Sequence, residues 1–303
     1  MEMNDASPEH GRLVLLIQER YNEERFDSWG AEYLDPWGND MHIKQTSLAD
    51  IPFLVTEYVE GLSSPFDSFL EEYVLSSTFY LIHNEDAAAV GYFAIHNEER
   101  LTQFYVRHAY LKHAQPLFLQ VLERYAVRSL FVPTCDELLL SLTVDQGFKI
   151  NKQAYFFQDS GIDQPETGSQ DGEIFRIASL CDLPIIEQVC GSFLEDYSHW
   201  IDKGELFVYF RDAILLGIGL IEKSRMIHGV ASIGMFTNEA YRKQGAGKRI
   251  IVQLRQSCKE QGVQPIAGCW YYNEESKRTL ESGGMVTKTR LLHIDITEQD
   301  QAQ

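Results

Sequence analysis

Apolar positions along the chain follow two rhythms, and the second half shows them most plainly. Ile227 to Phe236 reads as a β-run, and Ile250, Ile251, Leu254 and Cys258 then recur at helical spacing. Pro265 to Tyr272 is another β-like run, ending at Asn273-Glu274-Glu275-Ser276, and a helix-length segment follows that closes at Gly283-Gly284-Met285. The two longest apolar runs, Ala87 to Ile95 and Ala213 to Ile221, are each broken by a glycine, Gly91 and Gly217. Near the start, Leu13, Leu16, Ile17 and Tyr21 share one helical face with Glu19, Arg20, Glu23 and Glu24 largely on the others, which predicts a packed helix. Tyr33 to Asn39 then reads as an aromatic turn.

The chain also resembles itself. Ser47-Leu48-Ala49-Asp50-Ile51-Pro52 recurs as Ser179-Leu180-Cys181-Asp182-Leu183-Pro184, each copy preceding a helix-like segment. Asp136 stands eleven residues before Gly147-Phe148, as Asn273 does before Gly284-Met285. The first half is therefore expected to be a second copy of one fold. Asp159 to Glu173, rich in Gly, Ser, Gln and acidic residues, has the composition of a linker. The expected division is an N-terminal helical extension over 1–43, a first domain over 44–160, a linker over 161–173 and a second domain over 174–303. Each domain is of a size that buries its own core.

Between the strand ending near Phe236 and the helix beginning near Ile250 lies Tyr241-Arg242-Lys243-Gln244-Gly245-Ala246-Gly247-Lys248-Arg249. A turn carrying Gly245 and Gly247 can aim successive N–H groups outward, and the following helix start adds its unpaired donors and positive dipole end. Four cationic side chains surround the same point, so an anion, above all a pyrophosphate, is the expected guest. A Walker loop is excluded because Arg242 and Arg249 occupy its glycine and its Ser/Thr place. A dinucleotide fingerprint is excluded because its third glycine is Ile250.

In this order of strand, Arg242-x-x-Gly245-x-Gly247 turn, helix, strand and Asn273-x-x-Ser276, the chain resembles the GNAT superfamily of acyl-CoA-dependent N-acyltransferases. The resemblance implies an α/β (α+β) fold class: tandem GNAT folds, each a mixed, mostly antiparallel twisted sheet flanked by helices. It implies acetyl-CoA as cosubstrate, with no metal. Arg242, Lys243, Gln244, Gly245, Ala246, Gly247 and Lys248 would hold the pyrophosphate, and the strand edge at Met235, Phe236 and Thr237 would pair with the pantetheine amides. Asn273 and Ser276 would touch the coenzyme arm from the other side, while as a local motif the same pair reads as a helix N-cap with Ser276 in the first turn. The first half reads Tyr110-Leu111-Lys112-His113-Ala114-Gln115-Pro116 where the second has its glycine turn, so it is expected to bind no coenzyme A.

The family often places a thiolate-protonating Tyr where this chain has Leu280. Tyr271, Tyr272 or Cys269 would have to substitute, or the thiolate leaves unprotonated. For the base that frees the attacking amine the candidates are Glu222 and His228, which bracket the turn before the motif strand, with Glu222 preferred because burial can raise a carboxylate. A strand amide near Met235 would polarise the thioester carbonyl. The expected function is N-acetylation of an amine, of a small molecule or a protein. The alternative is a non-catalytic acyl-CoA-binding or regulatory module.

Charge is divided unevenly. Residues 1–173 hold 11 Lys and Arg against 29 Asp and Glu, and residues 174–303 hold 15 against 16, so nearly all of the net −19 lies in the first half. This is a solvated acidic surface, or an acidic wall that draws a cationic amine toward the second half. Acidic charge argues against a nucleic-acid partner. The acidic start, the short apolar run Leu13 to Ile17 and the lack of a membrane-length apolar stretch predict a cytoplasmic protein off the membrane, as a monomer or homodimer. Five cysteines without Cys-x-x-Cys spacing read as reduced thiols, with Cys258 and Cys269 in the core. His108 and His113 have no matching Cys or carboxylate pattern for a metal, and no Gly-x-Ser-x-Gly elbow occurs.

Overall fold

The apolar runs become the central strands of each half because they are covered on both faces. In the computed structural model, which describes residues 41–162 and 172–296, β3 (Ala89–His96) is buried from Val90 to Ile95, and β9 (Ile214–Lys223) from Leu215 to Gly219. Their glycines are places of close approach: a β-carbon on Gly91 would collide with the Tyr105 carbonyl, and one on Gly217 with that of Phe236. The proposed helix over Leu13 to Tyr21 and the aromatic turn at Tyr33 to Asn39 lie outside the described residues.

The first half runs β1 (Met41–Thr46), α1 (Pro52–Gly61), α2 (Ser68–Leu75), β2 (Thr78–Asn84), β3, β4 (Arg100–Val106), α3 (Ala114–Arg124), β5 (Ser129–Pro133), α4 (Glu137–Asp145) and β6 (Ile150–Asp159). The second repeats that order with β7 (Glu173–Ile177), α5 (Leu183–Cys190), α6 (Tyr197–Asp202), β8 (Leu206–Arg211), β9, β10 (Val230–Thr237), α7 (Ala246–Glu260), β11 (Gln264–Trp270), α8 (Glu274–Ser282) and β12 (Met285–Asp295). The repeated hexapeptides do the same job in each: Ser47 Oγ donates to Asp50 Oδ2 at 2.6 Å, and Ser179 Oγ to Asp182 Oδ2 at 2.8 Å, closing a short 3-10 turn ahead of α1 and α5. Asp136 and Asn273, matched by spacing in the sequence, are the N-caps of α4 and α8. The strand expected from Ile227 begins only at Val230, because Gly229 has φ +75° and residues 224–229 form the β9–β10 turn.

The twelve strands of the described residues form one sheet, ordered β1-β2-β3-β4-β5-β12-β6-β11-β10-β9-β8-β7. The halves trade their last strands. β12 pairs antiparallel with β5 of the first half, β6 pairs antiparallel with β11 of the second, and β6 and β12 pair with each other at the centre. Sheet hydrogen bonding therefore does not divide at 161–173. Apolar packing crosses the same seam, since Leu54 and Tyr58 of α1, Leu70 of α2 and Phe66 between the two helices share a core cluster with Ile227, Val230, Ile266 and Leu291. The described residues from His42 onward accordingly belong to one compact unit. No helix among the described residues is long and apolar enough to cross a membrane.

Candidate functional site

The site begins where two parallel strands part. β10 pairs with β11 only at Val230↔Gln264, Ala231↔Pro265 and Ser232↔Ile266, whereas its pairing with β9 continues to Thr237↔Gly217. Asn238 N–H donates to Leu216 O at 2.9 Å on the β9 side, and Gly229 O accepts from Gln264 N–H at 2.8 Å on the β11 side. Alternation along the strand then turns the N–H groups of Met235 and Thr237, beyond the last parallel pair, into the opening between β10 and β11. Of the expected edge, Met235 and Thr237 present amides to this splay, and Phe236 is turned toward β9.

The splay leads to the basic loop. Lys243 has φ +62° and Gly245 φ +85°, and α7 starts immediately after, with Gly245 as an N-cap that has no side chain to cap it. The first N–H groups of the helix are left for an anion. Nothing lies within 4 Å of where a β-carbon on Gly245 would stand, so this glycine is required by its backbone angle and faces open space. Gly247 is required by packing: a β-carbon there would stand 2.9 Å from Thr279 and 3.4 Å from Met235. The glycines thus serve different needs, where the sequence reading assigns both to a turn that aims N–H groups outward. Gln244 is exposed, Ala246 is buried and Lys248 is half-buried. Arg242 pairs with Glu239 at 3.2 Å, and Arg249 is held with Arg211 on the buried Glu173.

On the far side of the splay, Asn273 Oδ1 accepts from Ser276 N–H at 3.0 Å, so the N-cap reading describes its local role. Leu280 is buried against α7 in the core that also holds Ile250, Ile251 and Leu254. Tyr271 lies on that face too, stacked on Tyr155 with ring centroids 4.6 Å apart and Lys152 Nζ 4.9 Å from its ring. Its hydroxyl is lowered from the ordinary phenol range by hydrogen bonds with Tyr155 and Lys152, while Tyr155 is raised by the same Tyr271 contact. Tyr272 is exposed, edge-on to Trp270 at 5.1 Å. Cys269 is buried, which pushes its thiol up to about 11.

The opposite face of the splay carries Ser232, Gly234 and Phe236 on β10 and Gly268 and Trp270 on β11. Glu222 is the cross-strand neighbour of Ser232 and shares that face, half-buried, whereas His228 is exposed in the β9–β10 turn. The two base candidates are therefore separated, and only Glu222 stands beside the opening. Sequence reasoning missed what covers this face, namely the start of α2 from the first half, where Ser68 N–H donates to Ser232 Oγ at 2.8 Å.

The first half has the same parting of strands, with β4 and β5 paired only at Arg100↔Ser129 and Leu101↔Leu130. Its loop is different. A 3-10 stretch, His108–His113, runs straight into α3 with no left-handed residue between them. Five residues before the cap, where the second half has Gly268, it has Phe131, packed against Tyr73 at 4.9 Å and under the Arg100 guanidinium at 4.6 Å.

Residues 47–160 match the family model of the acetyltransferase (GNAT) domain, so the match falls on the half without the glycine turn. No curated protein matches the chain. Among solved structures, an acetyltransferase from the GNAT family of Colwellia psychrerythraea superimposes with a TM-score of 0.74 at 18% identity, over 84% of this chain and 99% of that one. An N-acetyltransferase of the same superfamily from Sphaerobacter thermophilus gives 0.60 at 12% identity, over 84% and 94%. A tandem GNAT protein from the clavulanic acid biosynthesis pathway gives 0.52 at 12% identity, over 84% and 97%. These likenesses carry the fold alone, that of a tandem GNAT protein, and the family match itself is to residues 47–160.

Proposed function

We propose that this protein is an acetyl-CoA-dependent N-acetyltransferase whose second half holds the cosubstrate. The observation that carries the reading is the continuity of three features: the splay after Ser232↔Ile266, the inward amides of Met235 and Thr237, and the uncapped α7 start behind Gly245. A pyrophosphate fits the loop from Arg242 to Lys248, with Lys243, Gln244 and Ala246 contributing backbone and Lys248 a cation. The pantetheine arm fits the strand edge from Met235 through Phe236 to Thr237, with Asn273 and Ser276 across from it.

In this pose the thioester stands near the point where the strands part, and the Met235 amide polarises its carbonyl. The acceptor amine enters on the Ser232 and Gly268 face, beside Glu222. The first half, with Phe131 in place of Gly268 and no left-handed turn, takes no acetyl-CoA and closes the acceptor side instead. Thiol release from acetyl-CoA on addition of an amine panel tests the reading. Tight acetyl-CoA binding with no acceptor-dependent release would instead establish a binding or regulatory module, the reading that the buried Leu280 favours.

A further inference from the structure

Asp67 belongs to the first half but lies on the second. It is the N-cap of α2, where Leu70 N–H donates to its Oδ1 at 3.2 Å, and it is 6% exposed. Its other oxygen, Oδ2, sits over Gly268 of β11, so close that a β-carbon there would collide with it. Gly268 is two residues beyond Ile266, the last β11 residue paired with β10, so the carboxyl is at the point of the splay and on the face opposite α7.

The seat of this carboxyl is built. Glu71, one turn along α2, accepts from Ser224 Oγ at 2.7 Å, Arg225 N–H at 2.8 Å and Met226 N–H at 2.6 Å, which binds α2 to the β9–β10 turn. Glu72 pairs with Arg225, and Ser68 holds Ser232. Three long-range attachments thus fix the start of α2 against β10 and the β9–β10 turn. The titratable groups around Asp67 are Glu222 from β9, Glu71 from its own helix and the Cys269 thiol from β11. Burial first, then the charges of Glu222 and Glu71, push the carboxyl up to about 7, against the Leu70 N–H.

We propose that Asp67 takes the proton from the acceptor ammonium, so that acyl transfer in the second half depends on a carboxylate supplied by the first. The inference rests on the acyl-transfer reading above, and it names the acceptor as a primary ammonium entering between Asp67 and Glu222. One N–H bond of the ammonium breaks and its proton goes to Asp67. The freed lone pair bonds to the thioester carbon, the C–S bond breaks, and the departing sulfur takes the second proton that the nitrogen sheds. Asp67 then returns its proton to water. Buried Leu280 takes no part in this balance.

The test is kcat/KM against pH for the full chain and for D67N, with acetyl-CoA and a primary amine found by the panel. Asn caps a helix as Asp does, so the variant keeps its local fold. Expected are an ionisation near 7 in the wild type, its loss in D67N, a fall in kcat of about 100-fold or more and unchanged acetyl-CoA affinity. Turnover with the same inflection in D67N overturns the proposal and leaves the acyl-transfer reading standing. A wild-type profile flat through 7 overturns it whatever D67N does. No turnover by the wild type with any amine overturns both.

Discussion

Replacing Gly245 by Ala isolates the geometry of the cradle from its charge. At φ +85° an added methyl meets no neighbour within 4 Å, so its cost is purely the strain of a left-handed L-residue, about 1–2 kcal/mol. The loop sits at the surface, and the free protein relieves that strain by leaving the cradle conformation. Acetyl-CoA must then restore it, and a binding-competent fraction of about one tenth weakens apparent affinity about tenfold for about 1.4 kcal/mol. Gly147 is the control, because it has φ +68°, equally open surroundings and a place after α4, away from β10 and β11. Isothermal titration with acetyl-CoA should show about a tenfold rise in Kd for G245A and no change for G147A. If both variants bind like the wild type, or both lose affinity alike, the loop does not cradle the ligand and the pyrophosphate assignment fails.

Other consequences follow from the same structure. Asp67 and Asp136 are raised above the ordinary carboxylate range by burial, to about 7 and about 6, so the stability tied to each is complete at low pH and declines as pH rises through those values, at up to about 1.4 kcal/mol per unit. Urea unfolding between about pH 4 and 7 should therefore show a shallower decline for D67N and D136N than for the wild type, and parallel declines would refute the burial argument. Asp182 is held well below the carboxylate range by the Arg176 guanidinium, so its contribution is present at neutral pH and lost on acidification, and D182N should cost about 1 kcal/mol at pH 7 for a partly exposed pair. Deleting β12 strips one of the two partners from both β5 and β6 and removes the fully buried Leu291 and Ile294, so neither half should survive limited proteolysis, and a protected fragment spanning residues 41–133 would contradict this. If the acidic first half steers a cationic amine, raising salt should raise its apparent KM, with a salt-independent KM as the refuting result.

Local chemistry made half of this legible in advance. The left-handed turn at Gly245, the helix behind it and the N-caps at Asp136 and Asn273 are set by residues within a few positions of each other, and the sequence carries them. The duplication was legible for the same reason, because the two Ser-x-x-Asp capping turns are local. What the sequence did not disclose is long-range. Asp67 reads as an ordinary helix cap before Ser68 and Phe69, and nothing near it refers to Gly268, two hundred residues away. The roles of Gly247 and Arg249 were also set from afar, by Thr279 on α8 and by Glu173 on β7. Strand exchange was hidden because β6 and β12 have the same pattern whichever β5-type strand they join.

That exchange bears on why a half without a cradle is built into the site at all. β6 brings the fully buried Phe156 and Phe157 against β11 and is its neighbour on the side away from β10, so the first half sets one wall of the second half's splay. α2 roofs the opposite face of the same splay through Ser68 and Glu71. A first half that lost its fold would remove both, whereas one that lost only its glycine turn would remove neither. If the second half carries the proposed acyl transfer, that chemistry needs the sheet and the α2 contacts of the first half but not a glycine turn in it, where a 3-10 run leads into α3. The family match to residues 47–160 spans this framework from the first capping turn through β6, so it does not depend on a glycine turn.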